Sequence, residues 1–291
     1  MTLPESVLAA LRCQDCGFPL AEESAETLVC AGSGGHRVGR EDGFLTFARP
    51  DAGKYDQAYA ARYAALWAFG YQTLHSGLDE TLYRAVTSLA AESLLALQAP
   101  LVLDAGCGVG RCATDCARMA PGSQVLALDA SPAMLELARR LAHGGEPVAV
   151  ELGAHGFAEP IVIAPRPAPN LILARGDVEH LPLADDALDL ALSINMIDRL
   201  PGGPDLALAE CYRVLKPGGR LLFSDPLNFT ARDLWERFPD AGAILALLGD
   251  LGFTIETWFD DLCYRELLDS RRSFQEFNTL VVAARKPPAA P

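Results

Sequence analysis

From residue 101 onward the chain alternates short apolar runs with helical stretches. "PLVLDAG" leads into a glycine-rich turn and "RCATDCARMA"; "QVLALDA" leads into "SPAMLELARRLAHG". Then come "LILARGD", "ALDLALSI", "PDLALAECYRVLKPGG" closed by a Gly stop, "RLLFSDP", "DAGAILALLGDLGF", "FTIETWF" and "TLVVAAR". Apolar runs without polar alternation read as strands buried on both faces, and the helices between them supply the crossovers that parallel strands require. The expectation is an α/β, Rossmann-like sheet covered on both sides. The second helix carries its own punctuation, with Ser131 as N-cap, Pro132 at the first helical position and Gly144 past its end. In such sheets ligands bind outside the carboxyl ends of the strands.

The turn after the first strand reads "LVLDAGCGVGR". Gly106, Gly108 and Gly110 allow a sharp bend and close approach of backbone to a ligand. A phosphate-binding Walker loop would end in Lys-Ser/Thr, which is absent, and a dinucleotide fingerprint would put glycine where Arg111 stands. The alternating glycines, with Asp104 two positions before the first, resemble class I S-adenosylmethionine (SAM) methyltransferases over about residues 100–285. "RGDVEHLPLADDALDLAL" and "AECYRVLKPGGRLLFSDP" resemble further segments of that family in the same order. The resemblance implies a seven-stranded sheet with an antiparallel last strand. It also implies cofactor contacts from Asp104, the three glycines, Asp129 on the ribose hydroxyls, Asp177 on the adenine amino group and the backbone of Val178 on the ring edge. Ala130, Met134 and Ser193 join that set by the same resemblance. A carboxylate at 129 can accept from both vicinal hydroxyls.

The fourth strand ends in "SINMIDRL", which sets Asn195, Asp198 and Arg199 within five residues. In this fold that strand end faces the transferred methyl. The Asn/Asp-Pro-Pro-aromatic motif of DNA and protein-amide methyltransferases is absent there. The stretch resembles instead the methyltransferase domain of ovothiol synthesis and the protein-histidine N-pros methyltransferases, as "DDLCYRELLDSRRSFQEF" resembles a run near the end of the former, with an extra four-residue spacing. Both groups methylate an imidazole nitrogen. A carboxylate that accepts from one ring N–H fixes the tautomer and makes the other nitrogen the nucleophile. Asp198 suits that role, with Asn195 orienting ring or donor and Arg199 free to bind a substrate carboxylate. The plainer alternative has Asp198 capping a helix and pairing with Arg199 at the surface. Tyr264 is a candidate acceptor contact after the sixth strand.

Near the N-terminus, "CQDC" is followed after thirteen residues by Cys30 and after five more by His36. A Cys-x-x-Cys knuckle with two ligands from a second hairpin makes a closed tetrahedral site, so Cys13, Cys16, Cys30 and His36 are expected to hold a structural Zn²⁺. Free thiols or a redox pair are the alternative. The segment resembles the ribbon of zinc-containing 23S rRNA guanine-N1 methyltransferases and stand-alone ribbons that partner methyltransferases. Residues 1–50 carry four Arg and no Lys against seven acids, and the whole chain has a net charge of −14. Such a balance disfavours nucleic acid as a partner. Cys112 and Cys116, four apart on a helix, read as packing.

The organisation expected is a zinc ribbon over 1–50, a helical connector or lid over 51–99, a methyltransferase domain over 100–286 and a disordered tail over 287–291. Residues 144–170 carry five prolines and read as an inserted loop. Tyr55, Tyr59, Tyr63, Trp67 and Tyr71 recur every fourth residue, a stripe that winds around a helix and serves packing more readily than one pocket. No apolar run approaches the ~20 residues of a membrane helix, and the N-terminus lacks the basic and cleavage features of a signal peptide. A cytoplasmic chain with no membrane partner is expected. The functional expectation is methyl transfer from SAM to a small-molecule, peptide or protein acceptor, favouring an imidazole nitrogen. The alternatives are an rRNA base methyltransferase and a non-catalytic SAM-binding subunit; the oligomeric state is not specified by the sequence.

Overall fold

The computed structural model describes residues 2–47, 81–267, 269–270 and 273–289. The tyrosine series and most of the helical connector lie outside the described residues. The elements run α1 (Glu5–Ala10), β1 (Leu20–Ser24), β2 (Thr27–Cys30), β3 (Arg37–Glu41), β4 (Phe44–Thr46), α2 (Thr81–Leu94), β5 (Leu101–Ala105), α3 (Arg111–Met119), β6 (Gln124–Asp129) and α4 (Pro132–His143). They continue with β7 (Val148–Val150), β8 (Ile161–Ile163), β9 (Leu171–Arg175), β10 (Leu188–Ile194), α5 (Asp205–Val214), β11 (Leu215–Asp225), α6 (Arg232–Arg237), α7 (Ala241–Asp250), β12 (Thr254–Leu267) and β13 (Phe274–Arg285).

One sheet of eleven strands runs β1-β2-β3-β4-β9-β6-β5-β10-β11-β13-β12. Seven of these, from β9 to β12, form the expected α/β sheet. Parallel pairing holds from β9 through β11, and β13 lies antiparallel to β11. Alternation along each strand divides the apolar side chains between two cores. Leu103, Ala105, Leu126 and Leu128 face one core with Leu208 and Cys211 of α5 and Ile244 of α7. Val102, Val125 and Ala127 face the other, with Leu82 and Val86 of α2 and Ala113 and Cys116 of α3. Cys112 and Cys116 are buried packing residues there.

The ribbon strands do not form a separate sheet. β4 adds to β9 in parallel, Leu45 opposite Ala174 and Thr46 opposite Arg175, and Phe47 N–H donates to the Arg175 carbonyl at 2.8 Å. Ribbon and α/β body therefore share one hydrogen-bonded sheet.

Three local expectations change. The helix expected through "KPGG" ends at Val214, and Leu215–Gly219 is extended. Pro217 disfavours the helical conformation at Lys216, so the chain leaves the helix before the glycines. The inserted segment 144–170 contains a hairpin, β7 on β8. Its Val148, Val150, Leu152 and Ile163 pack on Val109, Met134 and Leu141, along the outer side of α4. The last two strands form a hairpin longer than their apolar runs, Leu262 to Leu267 pairing with Phe274 to Thr279 beyond the rest of the sheet. Lys286, the last residue before the expected tail, is tied down, its Nζ 2.6 Å from Asp186. The N-cap of α4 is as read: Ser131 Oγ accepts from Met134 N–H. No helix among the described residues is long and apolar enough to cross a membrane.

Candidate active site

The turn from β5 into α3 is stitched to the end of β6. The N–H groups of Gly106 and Cys107 both donate to the Leu128 carbonyl, at 2.8 and 3.0 Å. Gly108 N–H donates to Asp129 Oδ2 and Ser131 N–H to Asp129 Oδ1, each at 2.8 Å. Asp129 is thus held against the glycine loop by backbone N–H groups, Ala130 among them. Burial raises its pKa, and the N–H groups oppose the rise. Asp104 Oδ2 accepts from Ala113 N–H at 2.9 Å and pins the first turn of α3. Burial pushes Asp104 up to about 7, with the Ala113 N–H opposing and the charge of Asp129 adding. Asp104 therefore shapes the loop from beneath. Ala130 sits between Asp129 and the cap Ser131, and Met134 is buried against Val109.

At Gly106, φ is +74°, and an added Cβ would lie 2.3 Å from Met196 Cγ. That contact joins the glycine loop to the segment after β10, because β5 and β10 are neighbours with Asp104 opposite Leu192. The glycine loop and the Asn195–Arg199 segment consequently meet at adjacent strand ends. After β9, Asp177 Oδ1 accepts from Glu179 N–H at 3.0 Å and the Asp177 carbonyl accepts from His180 N–H at 3.1 Å, a closed turn that buries Val178. His180 Nδ1 lies 3.7 Å from Asp177 Oδ2.

The ends of β10 and β11 form the second half of the site. Asn195 takes φ +52°. Its N–H donates to the Ser224 carbonyl at 2.7 Å, and its Oδ1 accepts from Ser224 Oγ at 2.9 Å. Its Nδ2 is buried and has no partner among the described residues; the same holds for Ser193 Oγ within β10. Asp198 lies in a single turn of 3₁₀ helix, its side chain 1% exposed, with Oδ1 3.3 Å from Nε of the half-exposed Arg199. The Asp198–Arg199 pairing of the plainer alternative is present, but the carboxylate is inside the protein rather than on its surface.

Sequence reasoning missed Asp225, the last residue of β11. It is fully buried; its Oδ1 accepts from Leu227 N–H at 2.8 Å and its Oδ2 from Asp198 N–H at 3.2 Å. Burial, and then the charge of Asp198, raise its pKa well above the ordinary range. The signal was available, since "FSDP" ends an apolar strand in a carboxylate just as "LALDA" does.

Tyr264 lies within β12, not after a strand. It packs edge-to-face on Tyr83 of α2, centroids 5.9 Å apart, and stacks on Phe277 at 6.2 Å. The guanidinium of Arg111, the first residue past the glycine loop, covers the other partner, 3.7 Å from the Tyr83 ring centroid. Tyr264 therefore borders the glycine loop through Tyr83 and shares a core with Ile194 and Cys107. The structure gives it packing contacts and brings together Asn195, Asp198 and Asp225 in a separate group.

Cys13, Cys16, Cys30 and His36 converge as expected, their ligand atoms all within 4.8 Å of one another. Cys16 Sγ lies 3.3 Å from Cys30 Sγ and 3.5 Å from His36 Nδ1, and Cys13 Sγ lies 3.4 Å from the same nitrogen. Edges near 3.5 Å suit a tetrahedron with metal–ligand bonds of about 2.0–2.3 Å. The Phe18 N–H lowers the Cys16 thiol pKa, whereas burial pushes Cys30 up to about 11 against the Gly32 N–H, which donates to Cys30 Sγ at 3.3 Å. The donor set fits a closed zinc site.

Residues 103–223 match the family model described as "Methyltransferase domain". That span holds the glycine loop, Asp129, Asp177, Asn195 and Asp198; Asp225, Tyr264 and the cysteine cluster lie outside it. The chain is 34% identical over 182 residues, 60% of its own length and 56% of the other, to a protein of Methylococcus capsulatus named malonyl-acyl-carrier-protein O-methyltransferase. It is 25% identical over 250 residues, 84% of this chain and 86% of the relative, to the ubiquinone/menaquinone biosynthesis C-methyltransferase of Paracoccus denitrificans. Six of the curated relatives it matches are spanned over only 35–56% of their own length. Among solved structures, the 4+2 cyclase SpnF superposes with a TM-score of 0.53 at 20% identity, over 80% of this chain and 95% of that one, a likeness of fold.

Proposed function

We propose, on the premise that the α/β body of this chain belongs to the class I S-adenosylmethionine-dependent methyltransferases, that it transfers a methyl group to an imidazole-type nitrogen of a small molecule, peptide or protein. The observation that carries the acceptor class is the buried Asp198–Asp225 pair at the strand ends adjoining the glycine loop. Burial and the charge of Asp198 keep the Asp225 carboxyl toward its neutral form, so Asp198 is the carboxylate of the pair, and it suits an acceptor that offers an N–H.

The donor, when bound, supplies an electrophilic methyl on a sulfonium that leaves as a neutral thioether. Asp129 would take the ribose hydroxyls, and Asp177 with the backbone of Val178 the adenine. Glycines 106, 108 and 110 admit the donor to the backbone, and Ala130, Met134 and Ser193 complete its surroundings. The unpartnered Asn195 Nδ2 offers a hydrogen bond to donor or acceptor. Asp198 accepts the distal ring N–H, which leaves the lone pair of the other nitrogen in line with the methyl; after transfer it takes up the released proton. Alignment and this hydrogen bond account for most of the rate, since little new charge develops. Cys13, Cys16, Cys30 and His36 hold one structural Zn²⁺. The organisation remains that of a ribbon over 1–50, a connector over 51–99 and the methyltransferase domain over 100–286.

The test is a labelled-methyl screen with SAM over histidine, thiohistidine, histidine peptides, a malonyl thioester and total RNA. Label should enter the imidazole compounds. Asp198→Asn should lower that rate by about 10²-fold or more, the scale of a lost proton acceptor, while binding of the demethylated product S-adenosylhomocysteine stays near wild type. Label in RNA or in the thioester with imidazoles blank would refute the acceptor class.

A further inference from the structure

The turn assigned to the adenine base has the metal knuckle as its outer wall. Gln14 lies between Cys13 and Cys16, and its Nε2 donates to the His180 carbonyl at 2.8 Å. Beside it, Arg12 N–H donates to the Pro182 carbonyl at 2.9 Å, Leu11 pairs antiparallel with Leu183, and Ala184 N–H donates to the Ala10 carbonyl at 2.8 Å. Cys13, Cys30, Leu11, Val178, Leu181 and Leu183 share one hydrophobic core. The far side of the same turn is closed by Asp177, whose carbonyl and carboxylate take the N–H groups of His180 and Glu179. A displacement of the knuckle therefore moves the His180 carbonyl and with it the Asp177–His180 turn.

We infer that the metal-loaded ribbon sets the affinity for the adenosyl cofactor, with Gln14 as the positioning residue that acts through His180. Metal holds Cys13 and Cys16 at fixed separation, which fixes Gln14 between them. Gln14 in turn holds the turn in the shape in which Asp177 and Val178 meet the base. The inference rests on the family reading of that turn and is independent of the acceptor.

Calorimetric titration of the zinc-loaded full chain with S-adenosylhomocysteine provides the test. Wild type, Gln14→Ala and Gln14→Glu would be compared with wild type after chelation, with zinc content and thermal midpoint measured on each. Both variants should keep wild-type zinc and midpoint yet bind about threefold to tenfold more weakly, the worth of one hydrogen bond. Chelated protein that retains its α/β circular dichroism should bind more weakly still. Amide hydrogen exchange should rise at 178–183 in the variants, which loss of a merely structural surface contact elsewhere would not produce. Unchanged affinity in the variants and in the chelated chain would overturn the coupling alone. Failure of the zinc-loaded wild type to bind the nucleoside at all would overturn the family reading with it.

Discussion

Gly106→Ala tests the claim that the glycine loop and the Asn195 segment form one site. Its φ of +74° costs an L side chain about 1–2 kcal/mol. The new Cβ would lie 2.3 Å from Met196 Cγ and 3.1 Å from Met196 Cβ. Rotation of the side chain can move Cγ, but Cβ follows the backbone, and that backbone is fixed by the Asn195–Ser224 hydrogen bonds. Met196 is also buried, so relief requires the ends of β5 and β10 to separate, and overpacking of this kind costs about 1–3 kcal/mol. The sum is about 2–5 kcal/mol, which for a domain of roughly 150–250 residues lowers Tm by about 10 °C. Calorimetry with and without S-adenosylhomocysteine would measure it. On the proposed cofactor reading, wild type should gain about 2.7 kcal/mol of stability at a hundredfold excess over Kd, and the variant much less, because the glycine loop has moved. A variant within about 2 °C of wild type, with the same ligand-induced rise, would refute the packing argument.

Gly249→Ala is the converse: it lies inside α7 with nothing within 4 Å of the new Cβ, and should stabilise by about 0.5–1 kcal/mol in urea unfolding. For Asp104, raised to about 7 in the folded state from 3.8, the folded chain holds more protons than the unfolded one between those values, so stability falls as pH rises through that window. Asp104→Asn keeps an oxygen for Ala113 N–H and removes the titration; its urea midpoint should exceed that of wild type at pH 7.5, with the margin shrinking towards pH 4 by about 1.4 kcal/mol per pH unit at most. Metal analysis should find about one zinc per chain, and Cys16→Ser should lower it; metal-free wild type with an intact ribbon would remove the zinc claim.

The α/β sheet was legible because its buried strands are short apolar runs separated by glycine and proline, and because "SPAM" carries an unambiguous cap. The ribbon's attachment was not. β4 is three residues long, and its pairing with β9 is made by backbone groups that leave no side-chain pattern. The outer halves of β12 and β13, "DDLCYREL" and "FQEFN", were invisible for a related reason. They pair only with each other beyond the sheet, so nothing demands apolar residues there. The site was half legible. Asp129, Asn195 and Asp198 stand out as polar residues at the ends of apolar runs. Asp225 shares that signature, but its role is to receive backbone N–H groups from a segment 27 residues earlier, a relation that only the β10–β11 pairing creates.

That pairing also explains why the acceptor end holds its shape against local preference. Asn195 and Leu227 both take positive φ, +52° and +55°, at the ends of neighbouring strands. For a leucine the conformation costs about 1–2 kcal/mol. The compensation is specific: Leu227 N–H is bound by the Asp225 carboxylate and Asn195 N–H by the Ser224 carbonyl. A hydrogen bond of this kind contributes about 0.5–1.5 kcal/mol, which offsets much of the strain at Leu227. Strain held this way over-determines the geometry on either side of the Asp198–Asp225 pair. Against that background the unpartnered Asn195 Nδ2 is a cost of about 1–3 kcal/mol that folding alone does not recover. On the reading proposed above, a hydroxyl or ring nitrogen of the bound molecule that accepts from this amide would recover that energy on binding.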